Sequence, residues 1–409
     1  MRILLINKFH YKKGGAERAY FDTARILAEN GHEVAFFAME HPDNEPTPCA
    51  PYFVSQVDYL DGEQSFLNKL KVASRIVWNF EASRKLKALI EDFQPDVAHL
   101  HNTYHQLSPS ILWTLKRAHV PIVMTLHDYK AVSPNYSLFV RGKIWEYASG
   151  WRAIIDRAVK NSYLKSLICA LELWLHTTLK SYGLVGRYIA PSRFLIAEYQ
   201  KLGFPYSIQH VPQPLTPFPT PPTIFGQGKY FLFAGRLSPE KGVMTLLRAF
   251  ALLPHERLVI AGTGPDEVAL KQFQDEAGLT NVVFVGHQIG ETLEATFRGA
   301  KAFIISSEWY ENMPYVVLEA LSYGLPVIGS NLGGIPERIQ DSANGFLFEA
   351  GNPESLAQAI QRFNTFDLTA LSHNAWESIQ DLHEETYLVN LETIYSQLLA
   401  SVDKNKKTG

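Results

Sequence analysis

The sequence has little cysteine and no long apolar run. Of its 409 residues only two are cysteines, Cys49 and Cys169, and they stand in no metal-ligand spacing. A disulfide framework is therefore not expected, and a reducing cytoplasm is the predicted compartment. No apolar run reaches the roughly 18 residues that a membrane-spanning helix needs. The first ten residues, MRILLINKFH, lack the cleavage site of a signal peptide and predict a β-strand instead.

Other motifs are missing too, and each absence excludes a class of protein. The chain has no basic run with interleaved aromatic residues, no zinc-finger spacing and no RNA-binding signature, so nucleic acid is not an expected partner. The dinucleotide fingerprint Gly-x-Gly-x-x-Gly does not follow the first predicted strand, which argues against a dehydrogenase. With 46% apolar residues, the composition is that of a globular protein and excludes general disorder.

Charge is unevenly distributed along the chain. The net charge is −3, but residues 1–212 hold 25 Lys and Arg against 19 Asp and Glu, a net charge of +6. The remaining residues carry −9. A basic first half predicts contact with an anionic surface, for which a phospholipid or a phosphorylated acceptor is a better candidate than nucleic acid.

Apolar strand patterns alternate with helix patterns through both halves of the chain. In the first half the predicted strands are residues 3–7, 33–38, 97–101, 122–127 and 188–191, and the predicted helices include 15–29, 66–92 and 107–118. In the second half the predicted strands are residues 230–235, 258–262, 282–286, 302–306, 327–330 and 345–348. Continuous apolar strands separated by helices are typical of a parallel, doubly wound sheet.

A proline-rich segment separates the two halves. Residues 210–222 contain six prolines, which no helix or central strand tolerates. The sequence therefore predicts an α/β protein with two Rossmann-like domains, residues 1–212 and 229–383, and a linker at 213–228. A last amphipathic helix, about residues 384–402, is expected to join the first domain, and residues 404–409 are expected to be a frayed tail. Because ligands bind beyond the carboxyl ends of such strands, the site is expected in a cleft where the domains face each other.

Paired glycines, Gly14 and Gly15, open the helix that follows the first predicted strand. Glycine allows a ligand to approach the backbone closely, and a helix amino terminus offers free N–H groups to phosphate. A tight strand-to-helix turn without any ligand explains the pair equally well.

Two cations follow the first strand of the second half. Arg236 and Lys241 lie five residues apart in Gly235-Arg-Leu-Ser-Pro-Glu-Lys-Gly242, before a predicted helix. They can converge on a diphosphate, Arg236 through its bidentate fork and Lys241 as a point charge. If only one of these two cations were considered, a solvent-exposed residue of a turn, without a ligand, would be the more common explanation.

Two glutamates flank the start of a later helix. Glu311 falls in the loop before Pro314, a favourable residue for a first helical turn, and Glu319 lies a turn and a half into the helix. Glu311 can therefore lie beside the exposed N–H groups of the helix start, and Glu319 could reach a ribose diol. If only one of the two glutamates were considered, a solvent-exposed side chain without a ligand would be the more common explanation.

Together these motifs resemble the retaining glycosyltransferases of family 4, which have the GT-B architecture of two Rossmann-like domains. The resemblance covers nearly the whole chain in the right order. The matching segments are Gly14-Gly15-Ala-Glu-Arg18, His127-Asp-Tyr129, Gly235 to Gly242, Gly262-Thr-Gly264-Pro, Glu311 with Glu319, Ala320-Leu-Ser-Tyr-Gly-Leu-Pro-Val327 and Gly333-Gly-Ile-Pro-Glu337.

The resemblance implies a role for each matching residue. Arg236 and Lys241 would hold the donor diphosphate and stabilise it as a leaving group, while Glu319 would bind the ribose hydroxyls. His127 and Glu311 would lie beside the donor sugar, so His127, Glu311, Arg236 and Lys241 are the candidate catalytic residues. The other candidate binding residues would surround the sugar, the phosphates and the base: Gly14, Gly15, Gly262, Gly264, Gly286, His287, Asn312, Met313, Pro314 and Tyr315.

The resemblance implies transfer of a hexose from a nucleoside-diphosphate sugar, with retention of configuration. UDP is the expected nucleotide, with GDP and ADP as alternatives, and the acceptor would be a glycan or lipid-linked molecule in cell-surface polysaccharide or glycolipid assembly. No Asp-x-Asp triplet is present, so neither a metal ion nor a cofactor is expected. Cations and helix amino termini would neutralise the developing charge. A nucleotide-sugar epimerase or hydrolase of the same fold, and a catalytically idle sugar-nucleotide-binding partner, stay open as alternatives.

Two basic stretches, residues 66–87 and 151–182, carry lysines and arginines among large apolar residues. Basic amphipathic helices can lie on anionic membranes, which would place the protein peripherally on the inner face of a membrane. A solvated helix face packed on the sheet by its apolar side explains the pattern equally well.

Overall fold

The chain forms two compact units of α/β structure. The computed structural model describes residues 1–56, 66–216, 218, 226 and 228–408, without the side chains of residues 66–71 and 403–408. The first unit comprises Met1–Leu138, Glu146–Pro214 and Glu384–Gly409. The second comprises Phe139–Trp145 and Leu215–His383. Much of the predicted linker, residues 217, 219–225 and 227, lies outside the described residues.

The first unit contains a six-stranded parallel sheet. Its strands are β1 (Arg2–Ile6), β2 (Glu33–Phe37), β3 (Val97–Leu100), β4 (Ile122–Thr125), β7 (Arg187–Ala190) and β8 (Ile208–His210). Their order in the sheet is β2-β1-β3-β4-β7-β8. Its helices are α1 (Gly15–Glu29), α2 (Phe66–Val77), α3 (Phe80–Phe93), α4 (Ile111–Arg117), α5 (Gly150–Ile155), α6 (Tyr163–Thr178), α7 (Arg193–Lys201) and α14 (Glu384–Thr408). Short 3-10 turns span Ala50–Tyr52 and Ser181–Leu184. Every residue of β3 and β4 is buried, as expected for central strands of a parallel sheet.

The long last helix completes the first unit. Tyr387 and Leu391 of α14 lie in the same buried cluster as Ile3 of β1. Arg25 of α1 and Glu384 form an ion pair at 2.6 Å. The helix continues to Thr408, where the sequence predicts a frayed tail at residues 404–409, and Gly409 lies outside the described residues.

The second unit contains another six-stranded parallel sheet. Its strands are β9 (Tyr230–Ala234), β10 (Leu258–Ala261), β11 (Val282–Gly286), β12 (Ala300–Ile305), β13 (Val327–Ser330) and β14 (Gly345–Phe348). Their order in the sheet is β11-β10-β9-β12-β13-β14. Its helices are α8 (Val243–Ala251), α9 (Glu267–Glu276), α10 (Gly290–Arg298), α11 (Tyr315–Ser322), α12 (Pro353–Phe363) and α13 (Leu368–Glu377), with 3-10 turns at Pro239–Lys241 and Ile335–Arg338. An antiparallel hairpin, β5 (Phe139–Val140) and β6 (Lys143–Ile144), also belongs to this unit. Its residues fall inside the predicted first domain, residues 1–212, so the predicted boundary differs from the structure here.

The predicted fold class is confirmed, because both units are parallel-sheet α/β structures. One predicted helix, residues 66–92, is wrong: the segment forms α2 and α3, separated at Asn79. The Asn79 side chain accepts a hydrogen bond from Ala82 N and donates one to Gln106 O, so it caps α3 and ties the break to a distant loop. The helix predicted from residue 107 begins at Ile111, and β8 and the hairpin were not predicted.

Candidate functional site

The loops at the carboxyl end of the second sheet pack closely against one another. Gly334 N donates to Glu311 O at 2.7 Å, which joins the loops after β13 and β12. A Cβ added to Gly334 would stand 1.7 Å from Asn312 O, and one added to Gly264 would stand 2.2 Å from Leu237 O. Only glycine allows these approaches, so the loops hold one another in place.

Lys241 and Glu311 form an ion pair in these loops. Lys241 ends the 3-10 turn after β9, and its Nζ lies 2.6 Å from Glu311 Oε1. Ser307 Oγ donates to the same oxygen at 2.8 Å. Burial opposes the charge on Glu311, which is 7% exposed, but the Lys241 ammonium and the hydrogen bonds outweigh it and lower the pKa of Glu311 below its ordinary value.

The backbone around Lys241 is fixed as well as its side chain. Ser306 Oγ donates to Lys241 O at 2.9 Å. Gly242 has a φ of +63°, and a Cβ there would stand 2.0 Å from Ser306 O. The close contact between the β9 and β12 loops thus sets the position of the ammonium before any ligand arrives.

Arg236 lies in the same loop, three residues before the 3-10 turn, and its side chain is exposed. No described residue forms an ion pair with its guanidinium. An anion at this turn would therefore meet a partly exposed Lys241 ammonium that already has a counter-ion and an Arg236 guanidinium that has none. Two cations of different geometry can neutralise a phosphate group together.

Helix α11 starts directly after this loop. Pro314 is its amino-terminal cap residue, with a ψ of 115°, and Tyr315 is its first residue. Asn312 and Met313 are half-buried in the approach to the helix. Glu319 follows Tyr315 by four residues, so the two lie on one face of α11, and both are half-buried. The first turn of the helix offers backbone N–H groups to an anionic ligand.

The remaining predicted residues of this unit follow neighbouring strands. Gly262 and Gly264 come after β10, Gly286 is the last residue of β11, and His287 is exposed beside it. Because β11, β10, β9 and β12 are adjacent and parallel, their loops share one edge of the sheet. The structure therefore places all predicted residues of the second unit at this edge or on the adjoining helix α11.

The first unit places Gly14, Gly15 and His127 at the carboxyl end of its own sheet. Gly14 is the cap residue of α1, and His127 follows β4 by two residues. His127 Nε2 lies 2.8 Å from His101 Nδ1, and the two rings are stacked at 5.1 Å. Burial, together with the charge of Lys8, lowers the pKa of His127 to about 3, so the imidazole is neutral at physiological pH.

Lys8 is a candidate that the sequence motifs missed. Burial lowers its pKa to about 8, although the charges of Asp128 and Glu17 oppose that shift. The ammonium lies over the ring of Tyr104, 3.9 Å from its centroid, and the Tyr104 hydroxyl donates to Asp128. The position of Lys8, two residues beyond β1, was the only signal in the sequence, since its burial comes from distant residues.

One group of potential metal ligands occurs among the described residues. The ligand atoms of His105, Cys169 and Glu172 lie within 4.8 Å of one another in the first unit. The Lys130 ammonium is 2.6 Å from Glu172 Oε2, and both side chains are buried. Lys130 therefore already supplies the positive charge that the carboxylate needs there, and burial raises the pKa of the Cys169 thiol to about 11.

Two family models match the chain. One, described as Glycosyltransferase Family 4, matches residues 13–215. The other, described as Glycosyl transferases group 1, matches residues 218–370. Together they cover most of both units.

Three curated proteins show the range of similarity. An uncharacterized glycosyltransferase of Methanocaldococcus jannaschii is 36% identical, over 33% of this chain and 35% of its own length. An uncharacterized 42.6 kDa protein in the cps region of Klebsiella pneumoniae is 24% identical, over 85% of this chain and 90% of its own. The D-inositol 3-phosphate glycosyltransferase of Mycolicibacterium smegmatis is 27% identical, over 89% of this chain and 82% of its own length. The match thus spans about a third of the first relative and most of the other two.

Solved structures share the fold over nearly the full length. Sucrose-phosphate synthase from Thermosynechococcus elongatus is 20% identical with a TM-score of 0.70, covering 98% of this chain and 99% of that one. The Anabaena protein HepE, in complex with UDP, is 18% identical with a TM-score of 0.69, covering 97% and 100%. Identity this low supports a shared fold and no more.

Proposed function

This chain belongs to glycosyltransferase family 4, the group 1 glycosyl transferases, and on that premise we propose that it transfers a hexose from a UDP-sugar, such as UDP-glucose, to a glycan or lipid-linked acceptor. The UDP bound to HepE supports the choice of nucleotide. The name of the Klebsiella relative, a protein in a cps region, supports a role in cell-surface polysaccharide assembly. The net charge of +6 in residues 1–212 supports an anionic acceptor.

The Lys241–Glu311 pair beside Arg236 is the observation that carries the proposal. When the bond to the sugar breaks, negative charge develops on the departing diphosphate. Arg236 and Lys241 would neutralise that charge, and the amino terminus of α11 would add its backbone N–H groups. Glu311 would hold the Lys241 ammonium in place through the 2.6 Å ion pair. With these groups in place the transfer requires no metal ion, and the configuration at the sugar is retained.

Neutral His127 has a different proposed task. With a pKa of about 3, its imidazole cannot serve as a general acid near neutral pH. A neutral imidazole can act as a hydrogen-bond partner instead, and we assign His127 to a hydroxyl of the sugar. His101, 2.8 Å away, would fix the tautomer of the ring.

Product analysis with a panel of nucleotide sugars tests this function. The panel is first screened for thermal stabilisation, since binding at 100 times Kd stabilises a protein by about 2.7 kcal/mol. Each stabilising donor is then incubated with and without lipid-linked acceptors, and NMR identifies the products. Transfer to an acceptor with retention is expected. Consumption of donor without acceptor would identify an epimerase or hydrolase, and binding without turnover would identify an idle binding partner.

A further inference from the structure

The outward face of α6 is apolar where a solvated helix would be polar. Leu164, Leu167, Leu171 and Trp174 follow one another at three- and four-residue spacing, and each exposes between 40% and 64% of its surface. The opposite face, which includes Cys169 and Leu173, is buried in the first unit. A helix that is apolar on both sides is stable in water only when something covers its outer face.

Helix α5 adds to this surface. Trp151 and Ile155, one turn apart, are 78% and 65% exposed. The two helices pack together, because a Cβ added to Gly150 would lie 3.2 Å from Ala170 Cβ. We call the following side chains the α5–α6 apolar surface: Trp151, Ile155, Tyr163, Leu164, Leu167, Leu171 and Trp174. In the described part of the chain 18 large apolar side chains are exposed, and nine of them lie between Tyr147 and Leu179. They are therefore concentrated in one segment and not scattered singly over the surface.

Positive charge surrounds the apolar side chains. Residues 147–180 contain five cations: Arg152, Arg157, Lys160, Lys165 and Lys180. The same residues contain two acids. Glu172 is buried, and Asp156 accepts a hydrogen bond from Arg152 Nε at 2.8 Å. The segment therefore presents a net positive charge to whatever covers it.

We propose that the α5–α6 apolar surface docks on an anionic phospholipid bilayer. Tryptophan is favoured at the boundary between headgroups and acyl chains. Trp151 and Trp174 are among the most exposed side chains of the α5–α6 apolar surface. Lysine and arginine around them complement anionic headgroups. A second copy of the chain would bring like charges together, which opposes a dimer through this face. Among the described residues no helix is long and apolar enough to cross a bilayer, so the surface would lie on the membrane.

The other basic stretch, residues 66–87, is less suited to this task, because among its described side chains only Phe80 is both large and apolar and exposed. Arg75 pairs with Glu81 at 2.9 Å, and Lys85 pairs with Glu40 at 3.0 Å. These cations already have carboxylate partners within the unit. The side chains of Lys69 and Lys71, in the same basic stretch, lie outside the described residues.

Vesicle flotation with the full chain tests the proposal without an activity readout, so its outcome is independent of the proposed reaction. The wild type should bind phosphatidylcholine vesicles that contain about 40% phosphatidylglycerol, and should be released at high salt. Trp151→Ser/Trp174→Ser should lose about tenfold or more in vesicle affinity, because two exposed rings no longer leave water. Leu252→Ser/Val268→Ser, at positions of the second unit that are also more than half exposed, is the matched control and should bind like the wild type.

Two further measurements make the test specific. Lys160→Gln/Lys180→Gln should lower affinity by about 25-fold, since each cation near an anionic surface contributes about fivefold. Acyl chains carrying bromine should quench part of the wild-type fluorescence and less of the fluorescence of Trp151→Ser/Trp174→Ser. Equal vesicle affinity of the tryptophan variant and its control, with both folded by thermal melting, would overturn the proposal. So would a wild type that dimerises through these tryptophans and binds no vesicle.

Discussion

Lys241 Nζ lies 2.6 Å from Glu311 Oε1, although 70 residues separate the two in the chain. The carboxylate is almost fully buried, so removing its partner leaves an uncompensated charge out of water. The pair therefore has a structural role in addition to its proposed catalytic one. Arg236, in the same loop but exposed, has no such role among the described residues.

Substitution of the two cations should separate these roles. Arg236→Ala and Lys241→Ala should each lower kcat by a factor on the order of 100 or more, because each removes a charge that stabilises the leaving diphosphate. Lys241→Ala should also lower the free energy of unfolding by about 3 kcal/mol, while Arg236→Ala leaves it unchanged. Steady-state kinetics and urea unfolding measure the two effects.

Lys271→Ala, which removes an exposed ion pair with Glu267, is the control and should change neither kcat nor the free energy of unfolding. Equal stability losses in the two variants would contradict the assignment.

Chelation of metal ions should leave the activity intact. Because Arg236 and Lys241 are proposed to replace a metal ion at the diphosphate, turnover should be the same with and without EDTA. The rate is measured after extensive dialysis against the chelator and again after magnesium or manganese is added. Complete dependence of the chemical step on either ion would contradict the proposed mechanism.

The glutamates should differ in what they control. Glu319→Ala should weaken the binding of UDP, since this side chain is assigned to the ribose hydroxyls. Glu311→Gln keeps the shape of the side chain but removes the charge that holds Lys241, so it should lower kcat with any donor and leave UDP affinity nearly unchanged. Calorimetry with UDP, together with kcat, tests both. The reverse pattern, with UDP affinity lost only in Glu311→Gln, would mean that the assignments must be exchanged.

The sequence predicted the strands well because central strands are continuous apolar runs, and their bounds in the structure differ by two residues at most. It failed at Asn79, where helix periodicity continues on both sides. Asn79, a favoured helix cap, was a local signal that the continuing periodicity outweighed. Its hydrogen bond to Gln106 O, across 27 residues, has no local signal. The β8 strand, only three residues long, was missed because so short a run has no clear period.

Candidate site residues could be predicted where a motif follows a strand, as at Arg236 and Glu311. The ion pair between Lys241 and Glu311 could not, because it depends on β9 and β12 being neighbours in the sheet. The shifted pKa of Lys8 could not be predicted either, since its burial is the cause and comes from the folded first unit. Sequence motifs thus locate loops, while strand order decides which loops meet.

Removal of His101 should impair His127 without unfolding the first unit. His101→Phe keeps a ring to stack on His127 but loses the 2.8 Å hydrogen bond, so the imidazole can rotate and change tautomer. The KM for the donor sugar should rise about fivefold to tenfold, because a misplaced His127 loses the free energy of one hydrogen bond to the sugar. The affinity for UDP should stay unchanged. Nitrogen NMR of labelled histidine reports the tautomer. His255→Phe, an exposed position, is the control. An unaltered His127 tautomer and KM would show that His101 does not position the ring.

The buried His99 gives the first unit a predictable sensitivity to acid. Its Nδ1 lies 2.7 Å from the Tyr395 hydroxyl oxygen and its Nε2 lies 2.7 Å from Thr125 Oγ1. Burial, with repulsion from His127, lowers its pKa from 6.5 to about 3. Between these two values the unfolded chain binds a proton that the folded chain does not, so stability falls as the pH decreases through that window.

His99→Gln should therefore weaken the pH dependence of stability while lowering stability itself. At about pH 7.5 the variant loses buried packing and hydrogen bonds, so its free energy of unfolding should be lower than that of the wild type. Between about pH 7.5 and pH 5, however, the wild type should lose about 2 kcal/mol more than the variant, because only the wild type keeps this histidine unprotonated. Urea unfolding at the two pH values measures the difference. His373→Gln, which removes an exposed histidine, should keep the wild-type pH dependence. An equal loss in wild type and His99→Gln would show that other groups carry the acid sensitivity.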